Sequence, residues 1–114
     1  MWTSIAAGFL ALAVMIGAFG AHALRDRLDA YSMGVYEKAV FYHFVHALGL
    51  LAVSLIPRDL TMVKWLLVVG MVLFSGSLYL LAVTGVRTLG AVTPFGGVAF
   101  IVAWLTLAYT MARS

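Results

Sequence analysis

The side chains with chemistry to offer are few and unevenly placed. His43 and His46 stand three residues apart, His22 lies well before them, and Ser75, Ser77 and Tyr79 alternate in a later apolar stretch. Imidazole titrates near pH 6.5 when unperturbed, so histidines beside tyrosine and serine hydroxyls could carry protons. Three imidazoles and a carboxylate would suit zinc. Glu37, however, precedes His46 by nine residues, about 180° around a helix, so the two cannot share a face. The third chemistry is the plainest: a neutral imidazole bonded to a hydroxyl, which joins helices and does nothing more.

Catalytic patterns are missing. No nucleophile is paired with a base, and no two carboxylates fall into register. Gly96-Gly97 follows Thr93-Pro94 without the lysine and Ser/Thr of a phosphate loop. There is no cysteine, which removes disulfides, thiol redox chemistry and cysteine-ligated metals. Neither an enzyme nor a cofactor nor a metal site is expected.

Composition sets the elements that must carry these residues. Of 114 residues, 65% are apolar and 10% charged, with a mean hydropathy of +1.11. An average soluble domain is about half apolar and a quarter charged. A soluble globule of this size cannot hide that much apolar surface, which excludes a water-soluble enzyme. The net charge of +3 is scattered without a run of like charges, and fits loop anchors, not a nucleic-acid footprint.

Four stretches approach the roughly 20 apolar residues that cross a bilayer: about 2–24, 36–56, 62–83 and 94–111. The expected fold is all-α, a four-transmembrane-helix bundle with short loops forming a single domain over 1–114. The first stretch has no basic start and is too long for a signal peptide, so it reads as a retained span. Pro57 ends the second, and Asp59 or Thr61 can cap the third. Thr93 and Pro94 suit the cap and first position of the fourth. Leu24, Leu28 and Tyr31 fall at i, i+4, i+7, as in a short interfacial helix closed by Gly34. Tyr36, Trp2 and Trp65 read as interfacial anchors. Arg25, Arg27, Lys38 and Arg87 lie on one side, with Arg58, Lys64 and Arg113 on the other, too even a split to set orientation.

Lipid gives helices no hydrophobic reward for associating, so close approach over small residues must hold them. Each span carries such a stripe at steps of three and four. They are Gly8, Ala11, Met15, Ala18, His22 in the first and Ala39, Tyr42, His46, Gly49, Val53 in the second. Gly70, Leu73, Ser77, Leu80, Thr84 follow in the third, and Gly96, Ala99, Ala103, Thr106, Thr110 in the fourth. Gly8, Gly17, Gly20, Gly49, Gly70, Gly76, Gly96 and Gly97 are the expected packing glycines.

The polar residues gather toward the end that holds the first and third loops. At 1.5 Å per residue, His46 lies about 12 Å inward from Lys38, and Tyr79 about 12 Å from Arg87. His22, Tyr42, His46, Ser75, Ser77 and Tyr79 therefore form the candidate intramembrane cluster, with His46 expected to bond Tyr79 or a serine. An ionisable group at such depth is a functional-site hypothesis by default.

Four motifs carry a resemblance. Gly17-Ala18-Phe19-Gly20-Ala21-His22, Tyr42-His43-x-x-His46-Ala47-Leu48, Phe74-Ser75-Gly76-Ser77-Leu78-Tyr79 and Thr93-Pro94-Phe95-Gly96-Gly97 together resemble the bacterial membrane proteins grouped as domain of unknown function 423, related to the animal transmembrane protein 256 family. The resemblance implies a four-helix protein of the bacterial plasma membrane and no particular activity. His43 stands where that pattern would place a variable polar residue, often glutamine, which weakens a two-histidine relay. The first span lacks the acid that small multidrug exporters carry there.

The expected function is a non-enzymatic structural or accessory component that packs with membrane lipids, with itself as a homo-oligomer, or with a larger membrane complex, and not with nucleic acid. The rival is a small channel or proton-coupled carrier with a half-channel lined by His22, Tyr42, His46 and Tyr79.

Overall fold

The structure is a computed structural model that describes residues 1–113. Among the described residues, four long helices run in sequence: α1 (Trp2–Phe19), α2 (Ala30–Ser54), α3 (Thr61–Thr84) and α4 (Thr93–Ala112). A π-helical turn, Gly20–Leu24, extends α1, and a 3-10 turn, Arg87–Ala91, lies between α3 and α4. α1, α3 and α4 with its leading turn are long and apolar enough to cross a membrane. α2 is longer than α1 but more polar, because it carries both deep histidines and the Glu37–Lys38 pair. It packs against α1 and α3, and α3 packs in turn against α4.

Local chemistry fixes most ends. Asp29 caps α2, its Oδ1 accepting the Ser32 N–H at 2.7 Å. α2 therefore begins at Ala30, not near Tyr36, and the stretch expected as an interfacial helix supplies its first turns. Gly34 lies inside the helix and ends nothing. Asp59 accepts from both the backbone and the hydroxyl of Thr61, at 3.2 and 2.7 Å, ahead of α3. Gly85 closes α3 in the left-handed conformation (φ 74°), the usual place for glycine just past a helix end. Thr93 is the first residue of α4, with Val92 as the cap. Its hydroxyl instead lies 2.6 Å from Ser77 Oγ on α3.

The core is small-residue and aliphatic toward the second loop, where Ala6, Ala47, Leu50, Val63, Leu67 and Ala103 are buried together. Trp2 and Trp65 meet edge to face at 5.2 Å there. Large apolar side chains cover the outside, including Phe41, Val72, Phe95 and Leu105, the reverse of a soluble protein and the surface lipid requires.

The seams on α2 and α4 face inward, with Ala39, His46, Val53, Gly96, Ala99 and Ala103 all buried. The seam on α1 does not. Gly8, Ala11, Met15, Ala18 and His22 are exposed, while Ala6, Ala13 and Gly20 are buried. Small residues surround α1 on every side, so composition alone cannot choose its face. α2 chooses it: Val40 lies 3.4 Å from where a Cβ on Gly17 would sit, and the Tyr36 ring lies across Gly20. On α3 the seam is inward at Gly70 and Ser77 and turns outward at Leu80 and Thr84.

Candidate functional site

The polar residues divide between two faces of α2. Both deep histidines are buried, His43 at 3% exposure and His46 at 5%. A step of three residues turns a helix by about 300°, so the rings point about 60° apart. That angle sends them to different neighbours.

His43 faces α1 and α3. Its Nδ1 lies 2.8 Å from the Tyr79 hydroxyl. Tyr79 has a single O–H hydrogen, and Nδ1 is its only hydrogen-bond partner among the described residues. Either group can supply the hydrogen; with the Tyr79 hydroxyl donating, Nδ1 accepts and the ring proton resides on Nε2. That Nε2 is buried with no hydrogen-bond partner among the described residues. Phe9 of α1 stands edge-on to the ring at 6.0 Å. Beside this pair, Tyr36 tilts against Tyr79 at 5.6 Å and donates its own hydroxyl to the Ile16 carbonyl at 2.5 Å. One turn deeper, Ser75 donates to the Ala39 carbonyl at 2.8 Å. Three helices are thus tied through α2 by side-chain hydrogen bonds.

His46 faces α3 and α4. Its Nδ1 lies 2.9 Å from the carbonyl of Tyr42, one turn back on the same helix. A carbonyl can only accept, so this nitrogen carries the proton and Nε2 is left as an acceptor. The ring is stacked on Phe100 at 3.5 Å and 11°, parallel to Tyr42 at 5.9 Å, and near Trp104 at 5.8 Å. Phe74 completes the layer at 4.5 Å from Tyr42. Glycines make room for it. The Trp104 ring occupies the space a side chain on Gly49 would need, Phe100 that of Gly70, and the Phe74 backbone that of Gly96.

The expected His46–Tyr79 bond does not form; His43 holds Tyr79. Depth was counted from Arg87, but α3 ends at Thr84, and the residues after it do not add helical rise. Tyr79 is five residues from that end, as His43 is from Lys38, and the two meet. Nor do the four residues of the expected half-channel share a cavity. His22 is exposed in the π-helical turn, Tyr79 lies on the His43 face, and Tyr42 and His46 lie on the other. Ser77 is elsewhere again, between Phe74 O at 3.0 Å and Thr93. Gly8 and Gly76 have open space where a side chain would go, and Gly97 only grazes Phe74 at 4.0 Å. Among the described residues, no three His, Asp or Glu side chains converge as a metal site would require.

Sequence reasoning set His43 aside and read Tyr36 as an interfacial anchor. Both were within reach of a periodicity argument, since Tyr36, Ala39, His43 and Ala47 recur at steps of three and four and are buried together.

The fold and this polar interior define a multi-pass helical membrane protein whose buried polar groups join its own helices. Residues 16–97 match the family described as Protein of unknown function (DUF423), and the chain belongs to that family. It is 52% identical over 100 residues to a UPF0382 membrane protein of Staphylococcus saprophyticus, covering 84% of this chain and 83% of the relative. It is 47% identical over 102 residues to a UPF0382 membrane protein of Bacillus subtilis, covering 84% and 83%. A relative from Staphylococcus aureus is 41% identical over 100 residues, covering 84% and 82%. No solved structure matches.

Proposed function

We propose that this protein is a non-enzymatic accessory component of the bacterial plasma membrane, with α2 crossing as the fourth span. What carries the reading is the way the deep polar groups are used. Tyr36 and Ser75 each give a hydrogen to a carbonyl of a neighbouring helix, and Tyr79 and His43 share one. Groups bonded in this way stabilise helix contacts, by about 0.6 kcal/mol each on average in membranes. A conducting path would instead need them to face a common wet cavity. The second reading, a small channel or proton-coupled carrier, is favoured only by the clustering of polar residues toward one end of the bundle.

Proton and ion flux into liposomes containing the purified protein separates the two. The proposal expects flux equal to that of protein-free vesicles, while His46→Gln and Tyr79→Phe lower thermal stability in detergent. Flux that appears with the protein and vanishes with either substitution would establish the carrier.

A further inference from the structure

α2 and α4 both lie along α3 and leave a groove between them. At its outer end it opens as a cleft of about 500 Å³, where Tyr31 and Lys38 of α2 face Thr93 and Pro94, with Leu78 and Leu81 beneath. Phe74 borders this cleft and also the next, of about 310 Å³, which continues inward past Tyr42, Gly97 and Ile101 to Trp104. The two clefts share Phe74 and are lined mostly by apolar side chains.

Charge marks only the mouth. Lys38 lines it, and the Arg87 guanidinium stacks over the Tyr31 ring at 4.2 Å. Asp29 feels the Arg87 charge, but its carboxylate is already engaged by the Ser32 N–H. Glu37 lies on another side of α2, lining a separate cleft with Arg25. Two cations thus crown an apolar groove, the arrangement expected where basic pockets between helices hold anionic lipid headgroups.

Length agrees with this. From Lys38 at the mouth to Gly49, which lies under Trp104, the groove follows α2 for about 16 Å. Half of a hydrocarbon core about 30 Å thick is about 15 Å. We infer that the α2–α4 groove binds one anionic phospholipid from the leaflet on the side of the first and third loops. Its phosphate sits between Lys38 and Arg87, and one acyl chain lies along Phe74 and Gly97 as far as Trp104. The inference does not depend on whether the protein conducts anything.

The test offers the purified protein equimolar phosphatidylglycerol and phosphatidylcholine with identical chains, and counts retained lipid by native mass spectrometry. Phosphatidylglycerol is expected to be retained in roughly tenfold preference. The double variant Lys38→Gln/Arg87→Gln, at two exposed positions, removes the preference and leaves helical content unchanged. Gly97→Leu fills the groove and lowers retention of both lipids. Soluble glycerol phosphate at the same concentration displaces neither. Equal retention of the two lipids by the unaltered protein overturns the inference, as does a preference that survives the double variant. Displacement by glycerol phosphate would mean a headgroup site without a chain. A Gly97→Leu protein that loses self-association and keeps its lipid would mean a contact between copies; either result also overturns it.

Discussion

Two imidazoles one step of three residues apart on α2 are held in opposite ways. On the α1–α3 side, His43 shares a hydrogen bond with a tyrosine of another helix, and nothing there stacks tightly on its ring. On the α3–α4 side, His46 gives its proton to its own helix and is clasped by aromatic faces. The first contact is directional and lost with one atom. The second is broad, and much of it survives any flat ring of similar size. Helix association in lipid draws on both close packing and interhelical hydrogen bonds, and this chain separates them onto two faces of one helix.

The largest effect should come from breaking the packed side. Gly96→Ala drives a Cβ into the Phe74 backbone, which cannot swing aside as a side chain can, and should cost about 3 kcal/mol by overpacking. Gly76→Ala, with open space around it on the α1–α3 side, should leave stability unchanged or slightly raised. Thermal unfolding of both variants in the same detergent makes the contrast.

The histidines themselves come next. His43→Phe leaves the Tyr79 hydroxyl without its partner and should cost up to about 1.7 kcal/mol, the upper end for hydrogen bonds within membranes. His46→Phe keeps the stack on Phe100 and should cost no more than about 0.6 kcal/mol. A reversal of that order in bicelle unfolding experiments would dissolve the comparison. Ser75→Ala is smaller still, about 0.6 kcal/mol, because the helical Ala39 carbonyl that loses the hydroxyl has its backbone partner in α2.

The smallest effect lies in the loops and sharpens the contrast by its pH dependence. The Ser32 N–H holds Asp29 below the usual carboxylate range, followed by the Ser32 side chain, with Arg87 adding a weaker pull. The Thr61 hydroxyl and then its N–H do the same for Asp59. A carboxyl depressed by folding contributes stability above its unfolded pKa and loses it as pH falls through the folded value. Asp29→Asn and Asp59→Asn should therefore flatten the acid limb of a stability–pH curve below about pH 4, by slightly lowering the neutral plateau and leaving the acid end nearly unchanged.

Much of the fold was legible because lipid imposes a coarse rule. Apolar stretches of spanning length, with Pro57 after the second and Thr93-Pro94 before the fourth, leave few places for the helices, whereas the Asp29 cap that starts α2 at Ala30 was not read. The inward seams of α2 and α4 were legible too, since each has one face of small residues. α1 was not, because its alanines and glycines surround the helix and the deciding contact, Tyr36 over Gly20, comes from another element. The pairing within the polar cluster was not legible: Tyr79 meets His43, not His46. Depth counted in residues assumes unbroken helix, and the stretch from Gly85 to Arg87 breaks it. Whether a histidine meets a hydroxyl or an aromatic ring depends on a 60° rotation that residue types do not disclose.

The claim on which the account turns is that the two histidines are neutral tautomers of opposite kind. Solid-state ¹⁵N NMR of histidine-labelled protein in lipid bilayers at neutral pH reads this directly, with His43→Phe and His46→Phe assigning the signals. The account predicts a protonated Nε2 and bare Nδ1 for His43, and a protonated Nδ1 and bare Nε2 for His46. Matching tautomers, or an imidazolium at either position, would contradict it.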